Sequence, residues 1–187
     1  VVYIKISKKD FFANSKYSDL IKNGAVFILL TDTIYGLSCD ATNSNAVTKL
    51  RKIKKLSKLK ALSVIAPSKK WILDNCKFFS YLNKLPGAYT FILKLKKKEA
   101  VCFEVNNDSG SLGVRIPNHW CSELVFNLGI PLVTTSANVT GKSNMTSIDD
   151  LDESIKNSVD FIIYEGVKIG SASKIIDLRD DEKILRE

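Results

Sequence analysis

A chain of 187 residues, 45% of them hydrophobic, is long enough to bury roughly 70% of its unfolded surface, which excludes a disordered polyelectrolyte and a disulfide-stapled miniature. Net charge is +8, which invites a polyanion, nucleic acid included; yet 24 of the 28 cationic residues are lysine, a bias that coding composition produces as readily as a binding face. The longest fully apolar run, Ala25 to Leu30, is too short for a membrane-spanning helix, and the opening VVYIKISKKDFF lacks the order of a signal peptide, so a cytoplasmic protein without a membrane partner is the default expectation.

In chain order, strands are expected over Val2 to Ile6 and Ala25 to Leu30. At the exit of the second lies TDTIYGL, Thr31 to Leu37. Two threonines, an Asp and a Gly there can bring hydroxyls and backbone N–H groups to a ligand, or simply form a polar turn; spacing alone favours the turn. Ala46, Val47, Leu50 and Ile53 then repeat at helical spacing behind the cap candidates Asn43 and Ser44. From Lys49 to Lys60, seven of twelve residues are Lys or Arg and none is acidic. Such a run is either a solvated face or, near Lys54, a cationic end aimed into a cleft that suits polyphosphate; spacing leaves the two even.

Leu62 to Ala66, Tyr89 to Leu93 and Leu112 to Ile116 read as strands, several of them continuous apolar runs of the kind covered on both faces. Arg115, in the middle of GSLGVRIP, needs an anionic partner there, either an internal carboxylate or a ligand carboxylate or phosphate. A helix follows on Trp120, Cys121, Leu124, Val125 and Leu128, with Gly129 as its stop before Pro131. After the strand Pro131 to Thr134 comes TSANVTGKS, whose tail nearly matches a P-loop. Ser136 stands where the first Gly belongs and no helical period follows Lys142, which argues against one. Val159 to Tyr164 and Lys174 to Leu178 complete the strands.

This alternation argues for one α/β domain over residues 1–187, a twisted mixed sheet with flanking helices; strand order is not readable from it. Cys39, Cys76, Cys102 and Cys121 form no CxxC pair and are expected to be reduced and mostly buried, while His119 alone cannot anchor a zinc site with them. No Ser-His-Asp set and no GxGxxG is present. The remaining inventory of Lys, Arg, Ser, Thr and Asn suits positioning and charge stabilisation in phosphoryl-type transfer.

Taken together, the segments resemble the YrdC/TsaC family of threonylcarbamoyl-AMP synthases. TDTIYGL resembles its (P)T(E/D)TVYGL, and Ile53-Lys54 with Lys60-Ala61-Leu62-Ser63 its IKxRPxxKPLS. PGAYTFIL (Pro86 to Leu93) resembles PGPYTFIL, GVRIP matches directly, and TSAN with Gly141 resembles TSANxSG. Ser173 to Leu178 and Ile184-Leu185-Arg186 resemble the closing STIVDL and ILR. The matches run in order over nearly the whole chain.

The resemblance implies the short, single-domain form: a twisted sheet around a basic cavity. It implies a reaction of L-threonine, bicarbonate or CO2 and ATP, with Mg²⁺, giving threonylcarbamoyl-AMP and pyrophosphate for a TsaD-type transferase that modifies tRNA. Carried across by motif, Thr33, Arg115, Ser136 and Ser173 would contact threonine. Lys54, Lys60, Ser111, Asn138, Thr146 and Arg186 would surround the ATP, with Lys54 and Arg115 the catalytic cations. There are departures: Leu56 stands where the KxR motif has arginine, with Lys58 the nearest substitute, Leu30 replaces proline, and Lys174 follows Ser173 in place of threonine. Rival readings are a non-catalytic paralogue that binds tRNA or double-stranded RNA, and a carbamoyl-transfer module like that of hydrogenase maturation factors. A salt-dependent affinity for tRNA without ATP consumption would mark the first, and turnover of carbamoyl phosphate the second.

Overall fold

A computed structural model describes residues 3–77 and 81–187. Its eleven-stranded sheet is built from β1 (Lys5–Ile6), β2 (Phe27–Leu30), β3 (Tyr35–Asp40), β4 (Ser63–Ile65), β5 (Cys76–Lys77), β6 (Tyr89–Leu95), β7 (Ser111–Arg115), β8 (Leu132–Ser136), β9 (Phe161–Ile163), β10 (Lys174–Asp177) and β11 (Lys183–Arg186). The spatial order is β1-β9-β2-β3-β8-β4-β7-β6-β10-β11, with β5 beside the far end of β6. Pairs β1·β9, β2·β9, β4·β7 and β6·β10 are parallel and the others antiparallel, so the sheet is mixed as expected.

Most expected strands fall where the apolar runs lie. The first is shorter than its expected range, and Val2, where it was to begin, lies outside the described residues. β3 departs from the sequence reading: TDTIYGL splits into a turn, Thr31 to Ile34, and the start of a six-residue strand. All six residues of β3 are buried because β2 and β8 flank it, and its polar members are satisfied inside the sheet, Ser38 Oγ with Thr134 Oγ1 at 3.0 Å. Neighbouring strands, not propensity, decide this segment.

The helices are α1 (Lys8–Ala13), α2 (Lys16–Lys22), α3 (Ser44–Lys54), α4 (Lys69–Asn75), α5 (Phe103–Asn106), α6 (Cys121–Leu128) and α7 (Glu153–Lys156). Alternation along β2 sorts them. Phe27 and Leu29 pack in one cluster with Phe11 of α1, Tyr17 and Ile21 of α2, and Leu124 and Leu128 of α6. Ile28 and Leu30 face the opposite cluster, with Val47 and Leu50 of α3 and Ile155 of α7. Asn43 Oδ1 caps α3 on the N–H of Ala46 at 3.0 Å, and Gly129, at φ 71°, closes α6 as anticipated. The cysteines are free thiols; burial pushes Cys39 well above the ordinary thiol range and Cys121 up to about 12, so neither is a nucleophile at neutral pH. Among the described residues no helix is long and apolar enough to cross a membrane.

Candidate active site

On the α3 side of the sheet, the turn after β2, the end of α3, the ends of β7 and β8 and the approach to β10 converge on a cavity of about 320 Å³. The turn organises itself through one hydroxyl. Thr31 Oγ1 donates to the carbonyl of Ile34 at 2.9 Å and accepts from the N–H groups of Thr33 and Ile34. Its 2.9 Å contact with Thr33 Oγ1 fixes the second threonine on the cavity wall.

Arg115 ends β7 with 8% of its surface exposed. Of the partners left open by the sequence, the structure supplies an internal carboxylate: Nη2 donates to Asp32 Oδ1 at 2.5 Å, and Asp32 Oδ2 accepts from the backbone N–H of Asn118. The guanidinium is not exhausted. Nη1 reaches Thr33 Oγ1 only at 3.3 Å, and Nε is buried with no hydrogen-bond partner among the described residues. Burial lowers the Arg115 pKa, with Asp32 opposing the shift. Arg115 thus lines the cavity as a buried cation paired with Asp32, with Nη1 only weakly engaged.

Lys54 is the last residue of α3 and only 3% exposed. Its Nζ lies 2.5 Å from the Ser136 carbonyl, 3.1 Å from Ser136 Oγ, 3.0 Å from the Asn138 carbonyl and 2.6 Å from Asn138 Oδ1. Three ammonium hydrogens thus face four oxygens, none of them charged. Burial, with nearby Lys60 adding repulsion, pulls its pKa down to about 8. The loop reciprocates: Thr140 Oγ1 donates to the Lys54 carbonyl at 2.9 Å, capping α3. TSAN and Lys54 therefore form one unit.

On the far wall, Ser173 is buried and its Oγ lies 2.7 Å from Thr90 Oγ1. Arg186 reaches over from β11 and donates through Nε and Nη2 to the Ser173 carbonyl at 2.8 and 2.6 Å. Thr33, Lys54, Lys60, Arg115, Ser136, Asn138, Ser173 and Arg186 all line this cavity. Ser111 and Thr146 do not. Ser111 begins β7 opposite Lys94, its Oγ 3.1 Å from that of Ser109, and the hydroxyl of Thr146 is held by Asp150. Leu56 is partly buried against the main core and, with Lys58, lines a separate groove; neither lines the cavity.

Sequence reasoning named no role for Tyr35, Thr90, Thr140 or Asn144, which also line the cavity. Tyr35 lay within the quoted TDTIYGL and Thr90 within PGAYTFIL, so position in a motif was the available signal; Asn144 carried none. The Tyr35 hydroxyl donates to the Gly166 carbonyl at 2.7 Å and accepts from the Glu165 N–H, pinning the segment that leads to Ser173; burial raises its pKa to about 12.

Among the described residues, four cations therefore border the cavity and no Asp or Glu lines it. Among the described residues no cluster of His, Cys, Asp or Glu could hold a metal. A resident magnesium site, which ordinarily needs one or two carboxylates, does not fit this lining.

Comparison with known proteins accords with this geometry. A Methanocaldococcus jannaschii protein named "Putative threonylcarbamoyl-AMP synthase" is 37% identical over 175 residues, 88% of this chain and 79% of that protein. The Escherichia coli YciO structure superposes with a TM-score of 0.82 at 24% identity, covering 99% of this chain and 93% of YciO. P. abyssi Sua5 complexed with L-threonine superposes with a TM-score of 0.85 at 23% identity, covering all of this chain but only 57% of that longer one. The Sua5/yciO/yrdC family model, described as telomere recombination, matches residues 19–187, and the chain belongs to that family.

Proposed function

We propose that the chain is an L-threonylcarbamoyladenylate synthase, a nucleotidyltransferase that makes threonylcarbamoyl-AMP and pyrophosphate from L-threonine, bicarbonate or CO2, and ATP. The observation that carries the proposal is the cavity itself: Lys54, Lys60, Arg115 and Arg186 around a wall of hydroxyls with no acidic lining residue. Such a site favours phosphate and carboxylate together. The name of the M. jannaschii relative and the threonine bound by P. abyssi Sua5 support the same reading.

In this reaction the neutral threonine amine adds to CO2, forming a C–N bond as one C=O π bond opens to a carboxylate oxygen, and the amine proton passes to solvent. A carbamate oxygen then attacks the α-phosphorus, and the bond to the bridging oxygen breaks as pyrophosphate leaves. Arg115, through its weakly held Nη1, takes the threonine carboxylate, with Thr33, Ser136 and Ser173 orienting the rest of the amino acid. Lys54, Lys60, Asn138 and Arg186 face the nucleotide and its leaving phosphates. Magnesium comes as part of the nucleotide substrate, held by phosphate oxygens. The product, a labile adenylate, would pass to a TsaD-type transferase acting on tRNA.

The test is pyrophosphate release from ATP with bicarbonate and Mg²⁺, comparing L-threonine with L-serine and with no amino acid. Threonine-dependent release that disappears in Arg115→Ala is expected. Folded, ATP-binding protein with no threonine-dependent release would sink the synthase reading.

A further inference from the structure

The loop between α3 and β4, residues 55–62, has no strand or helix of its own, yet it delivers Lys60 to the cavity rim. Arg51, in the last turn of α3, holds it. Nη1 donates to the carbonyl of Glu104 in α5 at 3.0 Å, anchoring the guanidinium across the fold. Nη2 lies 2.7, 2.8 and 2.9 Å from the carbonyls of Ser57, Lys58 and Lys60. Two hydrogens on Nη2 are thus shared by three carbonyls, which turns the loop backbone inward onto one cation. Asn107 Nδ2 adds a bond to the Lys58 carbonyl at 2.7 Å, and the Lys60 N–H closes the turn on the Ser57 carbonyl.

These bonds matter for the cavity because the carbonyl of Lys60 is one of those held. The backbone from which the Lys60 side chain springs is therefore fixed. Leu56 and Lys58 both line the separate groove, and Lys54 and Lys60 are the cations of residues 54–62 that line the cavity. Arg51 itself lines the outer groove and not the cavity. Lysine could not stand in for it, since one ammonium cannot span Glu104 and the loop carbonyls as a planar fork does.

We propose that Arg51 is a positioning residue for phosphate recognition, fixing the loop so that Lys60 stands beside the cavity, and acting through Lys60 without touching substrate. The proposal rests on the nucleotide reading above.

The test is a double-mutant cycle on Mg-ATP affinity, measured by calorimetry, with the KM for ATP and for threonine alongside. Arg51→Ala is expected to weaken ATP binding about tenfold, the worth of one charge-assisted phosphate contact, while the KM for threonine changes far less. Arg51→Lys restores none of it. Lys60→Ala weakens ATP to the same degree, and the double variant is no weaker than either single. Losses that multiply in the double variant, an unchanged ATP affinity in Arg51→Ala, or equal losses for ATP and threonine overturn the proposal. Should Arg51→Ala not fold, Arg51→Lys, which keeps the charge and loses the fork, carries the same cycle. A wild-type protein that binds ATP but releases no pyrophosphate refutes the synthase reading alone, and the affinities still decide Arg51.

Discussion

Lys54 is an ammonium held entirely by uncharged oxygens, and that makes its charge sensitive to pH in a range where Arg115 and Arg186 stay protonated. Its pKa of about 8 lies below the ordinary lysine range. The folded state therefore sheds this proton before the unfolded chain does. Below pH 8 the charged form costs stability in full, and the cost fades as pH rises from 8 towards the free-lysine value. Anion binding has the opposite preference, since phosphate favours the charged form. Affinity for Mg-ATP is therefore expected to fall as pH rises through about 8, with proton uptake on binding near that pH. Calorimetry in two buffers of different ionisation enthalpy measures the uptake, and Lys54→Arg should remove the pH dependence. An affinity flat from pH 7 to 9 in the wild type would show that Lys54 serves the TSAN loop and not the ligand. Of this residue, the sequence revealed a cationic helix end near a cleft. Its four oxygen partners were not legible, because they come from the end of β8 and the loop after it, more than eighty positions downstream.

At the scale of elements, legibility followed burial pattern. Apolar runs such as Ala25 to Leu30 announced their strands, and Asn43 and Gly129 announced helix ends, because local chemistry dictates both. β11 was not legible, its four residues being exposed and joined to the sheet only by β10. Nor was β3, whose character comes from its neighbours. Gly36 shows what the β3–β8 seam demands. A Cβ there would stand 2.4 Å from Thr134 Cγ2, too close for any real contact. Gly36→Ala is therefore expected to destabilise by about 1–3 kcal/mol, the usual cost of overpacking. Urea unfolding measures it, and Thr134→Ser in the same chain should recover most of the loss. That second change removes the obstructing methyl and keeps the hydroxyl that meets Ser38. Failure of Thr134→Ser to rescue would locate the strain elsewhere than in this contact.

For the whole molecule, strand order matters most, and no local pattern could have revealed it. The sheet sequence β3-β8-β4-β7-β6-β10-β11 brings Thr33, Ser136, Arg115, Thr90, Ser173 and Arg186 to one cavity from segments scattered along the chain. Their convergence brings like charges near one another: burial lowers the pKa of Arg115 and of Lys54, and Arg186 adds a smaller repulsion at the first, Lys60 at the second. Burying these cations costs the empty protein stability, and a polyphosphate relieves that cost while tying β11 to the end of α3. Inorganic triphosphate at about a hundred times its Kd should therefore stabilise the fold by about 2.7 kcal/mol. For a domain of this size that corresponds to a rise in Tm of roughly 5–10 °C. The shift should shrink with added salt, as expected for exposed cations such as Lys60, and should be smaller in Arg186→Gln, which loses the tie to β11. Hydrogen exchange should slow at residues 183–186 on binding in the wild type and not in that variant. A Tm indifferent to triphosphate would mean that the four cations do not act on one ligand, and the assembly of the cavity from distant segments would then need a different explanation.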